Sequence, residues 1–385
     1  VKYADVVHRC FRCGYCKFTS DYQDLNCPPY RKFRFESYSP GGRMWLISAW
    51  LKGEVRWTEH LGEIMYSCTT CGNCVEECVF KFKDYLVEII VEARQEIAEQ
   101  GLAPPPVRDC LKSIRLYGNP YKAPPEERGS WARECGIKEY DGNEYLFYAG
   151  DAGSYDERGK KIACAAGELM VRAGLSVGIL GEKEISDGNE VRVLGEDGLF
   201  EYLARTNIER FRQAGVKKVI ALSPHSFHVF KNEYPKLGAD FEVMHFSSLL
   251  LNLIRDKKIV PKRYNAVVTY HDPCYLGRHN GEYSTPRKVL QSIPGLKIVE
   301  MERNRKNAFC CGGGGGNFFT DVLGGGEESP AVVRVREAVS TGAEVLAVAC
   351  PKCARMFTDA VNFAGYKDKI KVKDISELLV ESLEG

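Results

Sequence analysis

The sequence predicts a mixed fold, α+β at its N-terminal end and α/β beyond: a helical, cysteine-rich module followed by two pseudo-repeated α/β domains. Three observations carry this reading. Two C-x2-C-x2-C runs open the chain, separated by apolar residues at helical spacing. From residue 144 onward, short β-like runs alternate with helical segments. A set of cysteines near the C-terminus then repeats, position for position, a set of serines and aspartates about 125 residues earlier.

Residues 1–100 form the first unit. Residues 44–51 and 61–66 carry apolar side chains at helix-like intervals, and 84–100 read as one amphipathic helix ending before Gly101. Ala103-Pro104-Pro105-Pro106 is a stiff breaker. With further prolines at 120, 124 and 125, residues 101–143 read as a wrapping connector. The β-like runs beyond it are 145–149, 176–180, 218–222, 266–270, 296–301 and 345–349. They divide into one domain over 144–262 and a second over 263–385.

The second domain places Cys274, Cys310-Cys311-Gly312 and Cys350-Pro351-Lys352-Cys353 at wide, regular intervals. At matching intervals the first has Asp151, Ser186-Asp187-Gly188 and Ser223-Pro224-His225-Ser226. The domain is therefore duplicated, and its first copy has lost all five thiols.

Composition narrows the function. Lysine plus arginine number 53 and aspartate plus glutamate 52, so net charge gives no reason to expect nucleic acid. No apolar run is long enough to span a bilayer, and the N-terminus has no signal-peptide character. All of the 16 cysteines except Cys110, Cys135 and Cys164 fall in tight clusters, a ligand pattern suited to a reducing compartment. The three lone cysteines read as small buried hydrophobes. The expected location is cytoplasmic, with any membrane association made through partners.

Cys10, Cys13 and Cys16 are followed by Cys27-Pro28, and Cys68, Cys71 and Cys74 by Cys78. In two-cluster bacterial ferredoxins three closely spaced thiolates hold one cubane and the fourth crosses to the other. Applied here, one cubane [4Fe-4S] cluster takes Cys10, Cys13, Cys16 and Cys78, and the second takes Cys68, Cys71, Cys74 and Cys27. The ten residues between Cys16 and Cys27 imply an inserted loop, and Val79 stands where proline is usual. Zinc is the competing reading of C-x2-C pairs. It needs four ligands per site and would leave the third cysteine of each run surplus.

Cys310 and Cys311 are adjacent, a geometry strained as a disulfide but suited to neighbouring irons of one large cluster. The glycines at 312–316 would bare backbone N–H groups toward sulfur and leave room for a substrate or partner. This arrangement resembles the D subunit of heterodisulfide reductase, which joins a two-cubane module to tandem CCG domains. The resemblance spans nearly the whole chain and includes Gly118-Asn119-Pro120, Arg128 and Trp131 in the connector. Similar proteins include iron–sulfur subunits of glycolate and lactate oxidation systems, the cytoplasmic subunit of sulfite-reduction membrane complexes, and the heterodisulfide-reductase-like subunit of class II benzoyl-CoA reductase. The resemblance implies one non-cubane [4Fe-4S] cluster on Cys274, Cys310, Cys311, Cys350 and Cys353. Where that family carries clusters in both CCG copies, this chain has Ser and Asp in the first, poor ligands for a soft iron–sulfur core. The first copy is expected to be a packing scaffold.

His225 and His228 sit at the degenerate loop and read as remnants of it. His271-Asp272 would orient the Cys274 loop or hydrogen-bond cluster sulfur. No flavin or nicotinamide fingerprint stands out. The expected role is therefore an anaerobic electron-transfer subunit of an oxidoreductase, with flavin-bearing or membrane partners supplying the remaining chemistry. Direct disulfide or trisulfide reduction at the CCG cysteines, and a zinc-bound structural adaptor, are the two alternatives.

Overall fold

The computed structural model describes residues 2–19 and 24–384. Residues 20–23, the tip of the expected insertion between Cys16 and Cys27, lie outside the described residues. The flanks of that insertion are closed by an antiparallel bridge between Phe18 and Leu25.

The N-terminal helices start where local chemistry satisfies their free N–H groups. Ser39 caps Pro40–Leu51 by accepting from Gly42 N at 2.9 Å, and Thr58 caps Glu59–Tyr66 by accepting from Leu61 N at 3.2 Å. The helix expected over 84–100 runs Leu86–Glu99 behind a 3-10 turn, Lys81–Tyr85. It buries Ile89, Ile90, Ala93 and Ile97. Each of the three isoleucines contributes about 1.5–3 kcal/mol on burial.

The connector differs from expectation. Pro105 opens the helix Pro105–Tyr117 instead of breaking one, because a first-turn proline gives up only an N–H that lacks a helical partner anyway. Val107, Cys110 and Ile114 of that helix pack into the N-terminal core. Cys110 is buried as expected. Cys135 and Cys164 are only half-buried, and their thiols adjoin each other.

Two all-parallel sheets follow. The first contains β1 (Lys138–Glu139), β2 (Tyr145–Tyr148), β3 (Val177–Ile179), β4 (Lys218–Ala221) and β5 (Glu242–His245), in the order β1-β3-β2-β4-β5. The second contains β6 (Ala266–Tyr270), β7 (Leu296–Ile298), β8 (Val345–Val348) and β9 (Lys371–Asp374), in the order β7-β6-β8-β9. Set aside β1 and the orders coincide, so the repeat read from cysteine spacing is also a repeat of topology. Central β8, Val-Leu-Ala-Val, is buried along its whole length, as a parallel strand covered on both faces must be.

Helices from both copies, among them Glu157–Arg172 and Pro351–Phe363, close one continuous core that takes in the second sheet and Phe147, Ile179 and Ile220 of the first. The other core joins the N-terminal helices to β2 and β4, with Ile89, Ala93 and Ile97 in the same cluster as Leu146, Tyr148 and Val219. Arg94 is fully buried at that junction. It donates to the carbonyls of Cys68 at 2.5 Å, Val193 at 2.7 Å and Gly315 at 3.2 Å, so one guanidinium satisfies acceptors from three parts of the chain.

Candidate metal centre

In the second sheet the chain moves from β6 out to β7 and back across to β8. The crevice beyond the carboxyl ends of β6 and β8 is thus the switch point where open α/β sheets bind ligands. Cys274 follows β6, and Cys350 follows β8 directly before the helix Pro351–Phe363, which carries Cys353 in its first turn. Cys310 and Cys311 enter from the long segment after β7.

All five thiols are buried, none more than 6% exposed. Cys274 and Cys310 lie 4.0 Å apart, and Cys353 donates to Cys311 at 3.4 Å, both far beyond a disulfide bond. Gly312 N donates to Cys310 Sγ at 3.3 Å and Gly313 N to Cys311 Sγ at 3.5 Å. These glycines therefore do bring backbone N–H groups to sulfur.

They do not leave room for a substrate. A Cβ at Gly314 would stand 2.3 Å from the Thr69 carbonyl oxygen, and one at Gly315 would stand 2.3 Å from that of Cys68. At Gly314 and Gly315 the space freed by the missing side chains is filled by the backbone of the second N-terminal cysteine loop, and at Gly312 and Gly316 by Pro330 and Leu194. That loop comes so close that Cys310 donates to Cys71 and lowers its thiol's pKa.

The eight N-terminal cysteines line two neighbouring cavities. Cys10, Cys13, Cys16 and Cys78 line one, with Met44, Phe80, Phe82 and Leu86 among its apolar walls. Cys27, Cys68, Cys71 and Cys74 line another, walled by Pro28, Pro29, Val87 and Ile90. Cys16 borders both. Cys13 is exposed, whereas Cys27, Cys71 and Cys74 are buried. Thr70 N donates to Cys68 Sγ at 3.4 Å, another main-chain donor turned toward sulfur.

Donor chemistry tests whether these residues fit iron–sulfur groups. Zinc takes four ligands, and five contiguous thiols exceed that set. His271, Cys311 and Cys353 bring one ligand atom each within 4.8 Å of one another. His271 Nδ1 accepts from Arg334 at 3.3 Å and its ring hydrogen-bonds Cys311, Thr69 hydrogen-bonds Cys71, and His225 Nε2 is buried without a partner. A buried polar atom left unpaired costs about 1–3 kcal/mol. Polar atoms facing a thiol-lined crevice fit a bound group with acceptor sulfur.

The five counterpart positions in the first copy behave differently. Ser226 donates to Asp187 at 2.5 Å, where the intact copy has the Cys353–Cys311 pair. Asp151 takes Arg128 Nη1 at 2.9 Å, and Arg128 Nε reaches Glu184 at 3.0 Å. Ser186 and Ser223 are buried nearby. Burial pushes the Asp187 carboxyl up to about 6 and that of Glu184 up to about 7. Hydrogen bonds and ion pairs fill what thiols and metal would otherwise fill.

His225 is not idle debris of the old loop. Its ring stacks on Tyr275 with centroids 4.1 Å apart, and Tyr275 stacks on His279 at 4.4 Å. His228 meets both at an edge. Tyr275 pairs with Thr70 at 2.9 Å, and His279 Nε2 bonds the Thr70 carbonyl at 2.8 Å. Burial drives the rings of His225, His228 and His279 well down, so they are neutral at pH 7. Sequence reading gave no role to Tyr275, Arg94 or Lys352. A charged residue inside the Cys-Pro-Lys-Cys loop was the one available signal.

These features define a CCG-domain iron–sulfur protein that also carries a dicluster module, and comparison with known proteins agrees. The family model described as "Cysteine-rich domain", CCG, matches residues 268–358, and that described as "4Fe-4S dicluster domain" matches residues 6–82. The D subunit of the dihydromethanophenazine:CoB–CoM heterodisulfide reductase of Methanosarcina barkeri is 32% identical, over 97% of this chain and 93% of that protein. The chain belongs to this family, the CCG-domain iron–sulfur proteins that resemble the D subunit of heterodisulfide reductase. The probable iron-sulfur-binding oxidoreductase FadF of Bacillus subtilis is 36% identical and the EtfAB:quinone oxidoreductase of Syntrophomonas wolfei 34%, each over 84% of this chain. The chain spans 47% of the length of each of those two. Among the described residues no helix is long and apolar enough to cross a membrane.

Proposed function

We propose that the chain is an electron-relay subunit of a multi-subunit oxidoreductase. One cubane cluster is held by Cys10, Cys13, Cys16 and Cys78, and a second by Cys68, Cys71, Cys74 and Cys27. A non-cubane cluster is held by Cys274, Cys310, Cys311, Cys350 and Cys353. Bound iron–sulfur clusters supply one-electron redox chemistry. The observation that carries the reading is continuity: Cys16 borders both N-terminal cavities, and Cys71 of the second meets Cys310 of the CCG set. The protein's part is to hold three thiol groups in one file and keep water from the inner two. Exposed Cys13 makes the first cavity the entry or exit facing a partner.

The second reading is direct reduction of a disulfide or related sulfur substrate at the CCG cysteines. It is favoured by the match over 93% of the Methanosarcina barkeri protein, whose name states that activity. Relay is preferred because all five CCG thiols are buried and the glycine space is filled by the Cys68–Thr69 backbone. Incubating the metal-loaded chain with an artificial donor and a heterodisulfide or protein trisulfide separates the two. Relay predicts no thiol release, and turnover would overturn it. A zinc adaptor predicts colourless protein with little iron. The parent complex is proposed to be of the anaerobic, flavin- or membrane-partnered kind, with the aromatic-ring-reducing complexes as the first candidate. Co-purification of the native assembly tests this.

A further inference from the structure

The two copies exchange side chains across their interface. The Ser223-Pro224-His225-Ser226 and Cys350-Pro351-Lys352-Cys353 loops occupy equivalent places, each opening a helix after its strand. From the degenerate loop, His225 leans into the intact copy and stacks on Tyr275 beside Cys274. From the intact loop, Lys352 leans the other way and pairs with Glu190 of the degenerate copy. Glu190 stands three residues beyond Asp187, as Gly314 stands three beyond Cys311. The first copy thus has a carboxylate where the second has the glycine that admits the cubane loop.

Lys352 and Glu190 are both buried, 6% and 3% exposed. Asn189 Nδ2 also donates to Glu190 Oε1 at 3.0 Å, and Glu190 Oε2 is left without a partner. Lys352 lies one residue from Cys353 and two from Cys350, and its ammonium stands 5.3 Å from the centroid of the Phe319 ring. A charge here is poorly screened, so it acts strongly on any neighbouring group whose charge changes.

We propose that the degenerate copy is the electrostatic half of the metal site. Glu190 anchors Lys352 as a fixed positive charge on the Cys350–Cys353 loop, and the pair sets the reduction potential of the CCG group. The inference rests on the cluster assignment proposed above. Its sign follows from charge alone. A cation beside a group that gains an electron favours the reduced form, and an anion opposes it. Both residues act through space by their charge and are positioning residues. The loss of thiols from the first copy then replaces a second redox centre with a tuning device.

The test is potentiometric titration of the full, anaerobically prepared chain followed by EPR, with iron measured in every sample. Lys352→Gln is expected to shift the CCG signal to lower potential and Glu190→Gln to higher. The double variant should fall between them, and the cubane signals should stay in place. Opposite shifts are something a merely structural pair would not produce. Shifts of the same sign, or an unmoved CCG signal at full iron content, would overturn the inference while leaving the cluster assignment standing. An unaltered protein with no CCG signal would overturn both. Should Lys352→Gln fail to retain metal, the nearly isosteric Glu190→Gln decides alone: a rise supports the inference and no change defeats it.

Discussion

The Arg278 guanidinium, four residues beyond Cys274, donates from Nε to the main-chain carbonyl of Cys71 at 2.7 Å. Its Nη1 donates to the carbonyls of Ala308 at 2.7 Å and Lys306 at 3.0 Å, just before Cys310. One side chain therefore fastens the second cubane loop to both sides of the CCG crevice. Arg278→Met should lower stability by about 1.5–3 kcal/mol, the range for hydrogen bonds to a charged group. Denaturant unfolding of the metal-loaded chain measures this. A change under about 0.5 kcal/mol, the size expected of a plain surface site, would show that the fastening is incidental.

Arg128 carries a second prediction. It is 2% exposed and pairs with Asp151 and Glu184 through contacts of 2.9 Å each. Arg128→Met would strand two buried carboxylates, at a cost of about 3–5 kcal/mol. The penalty falls on their charged forms, so the loss should be larger at pH 8 than at pH 5. Equal losses at both pH values would argue against a charge effect.

The eight N-terminal thiols of the candidate site were legible because they lie close together in sequence, and ligand spacing leaves a local mark. The CCG thiols and the repeat were legible because wide intervals recur in both copies. What was hidden depends on contacts made across long separations. Gly314 and Gly315 read as open space, yet the Cys68–Thr69 backbone fills it. Lys352 and Glu190 are 162 residues apart. Strands β5 and β9 were missed because their sequences, Glu-Val-Met-His and Lys-Val-Lys-Asp, are edge strands with polar, partly exposed positions. The proline run misled because a proline at a helix start and one inside a helix have opposite effects.

Asp374 gives a pH prediction. It accepts from Ser376 N at 2.9 Å at the start of the helix Ile375–Glu384, and burial raises its carboxyl to about 7. The unfolded chain releases that proton near pH ~4. Between these values the folded state holds more protons than the unfolded one. The contribution is therefore fully present below pH ~4 and lost as pH rises through about 7. Asp374→Asn should flatten that fall in stability across the window, as read by urea midpoints from pH 4 to 8. An unchanged slope would assign it to other groups.

Cys13 is exposed and Cys311 is buried, at opposite ends of the file of thiols. Cys13→Ser should disturb a cubane signal and slow reduction of the chain by a bulky protein donor, leaving the non-cubane signal intact. Rapid-mixing spectroscopy with EPR of frozen samples reads both effects. Loss of the non-cubane signal in this variant would contradict the separation of the two sites.

The central claim is three metal groups on thirteen named thiols, and iron content with EPR of the unaltered chain and Cys311→Ser tests it most directly. About twelve irons are expected in the unaltered chain, about four per cluster. Cys311→Ser should remove one non-cubane signature and spare both cubanes. Loss of every signal, or of none, would contradict it.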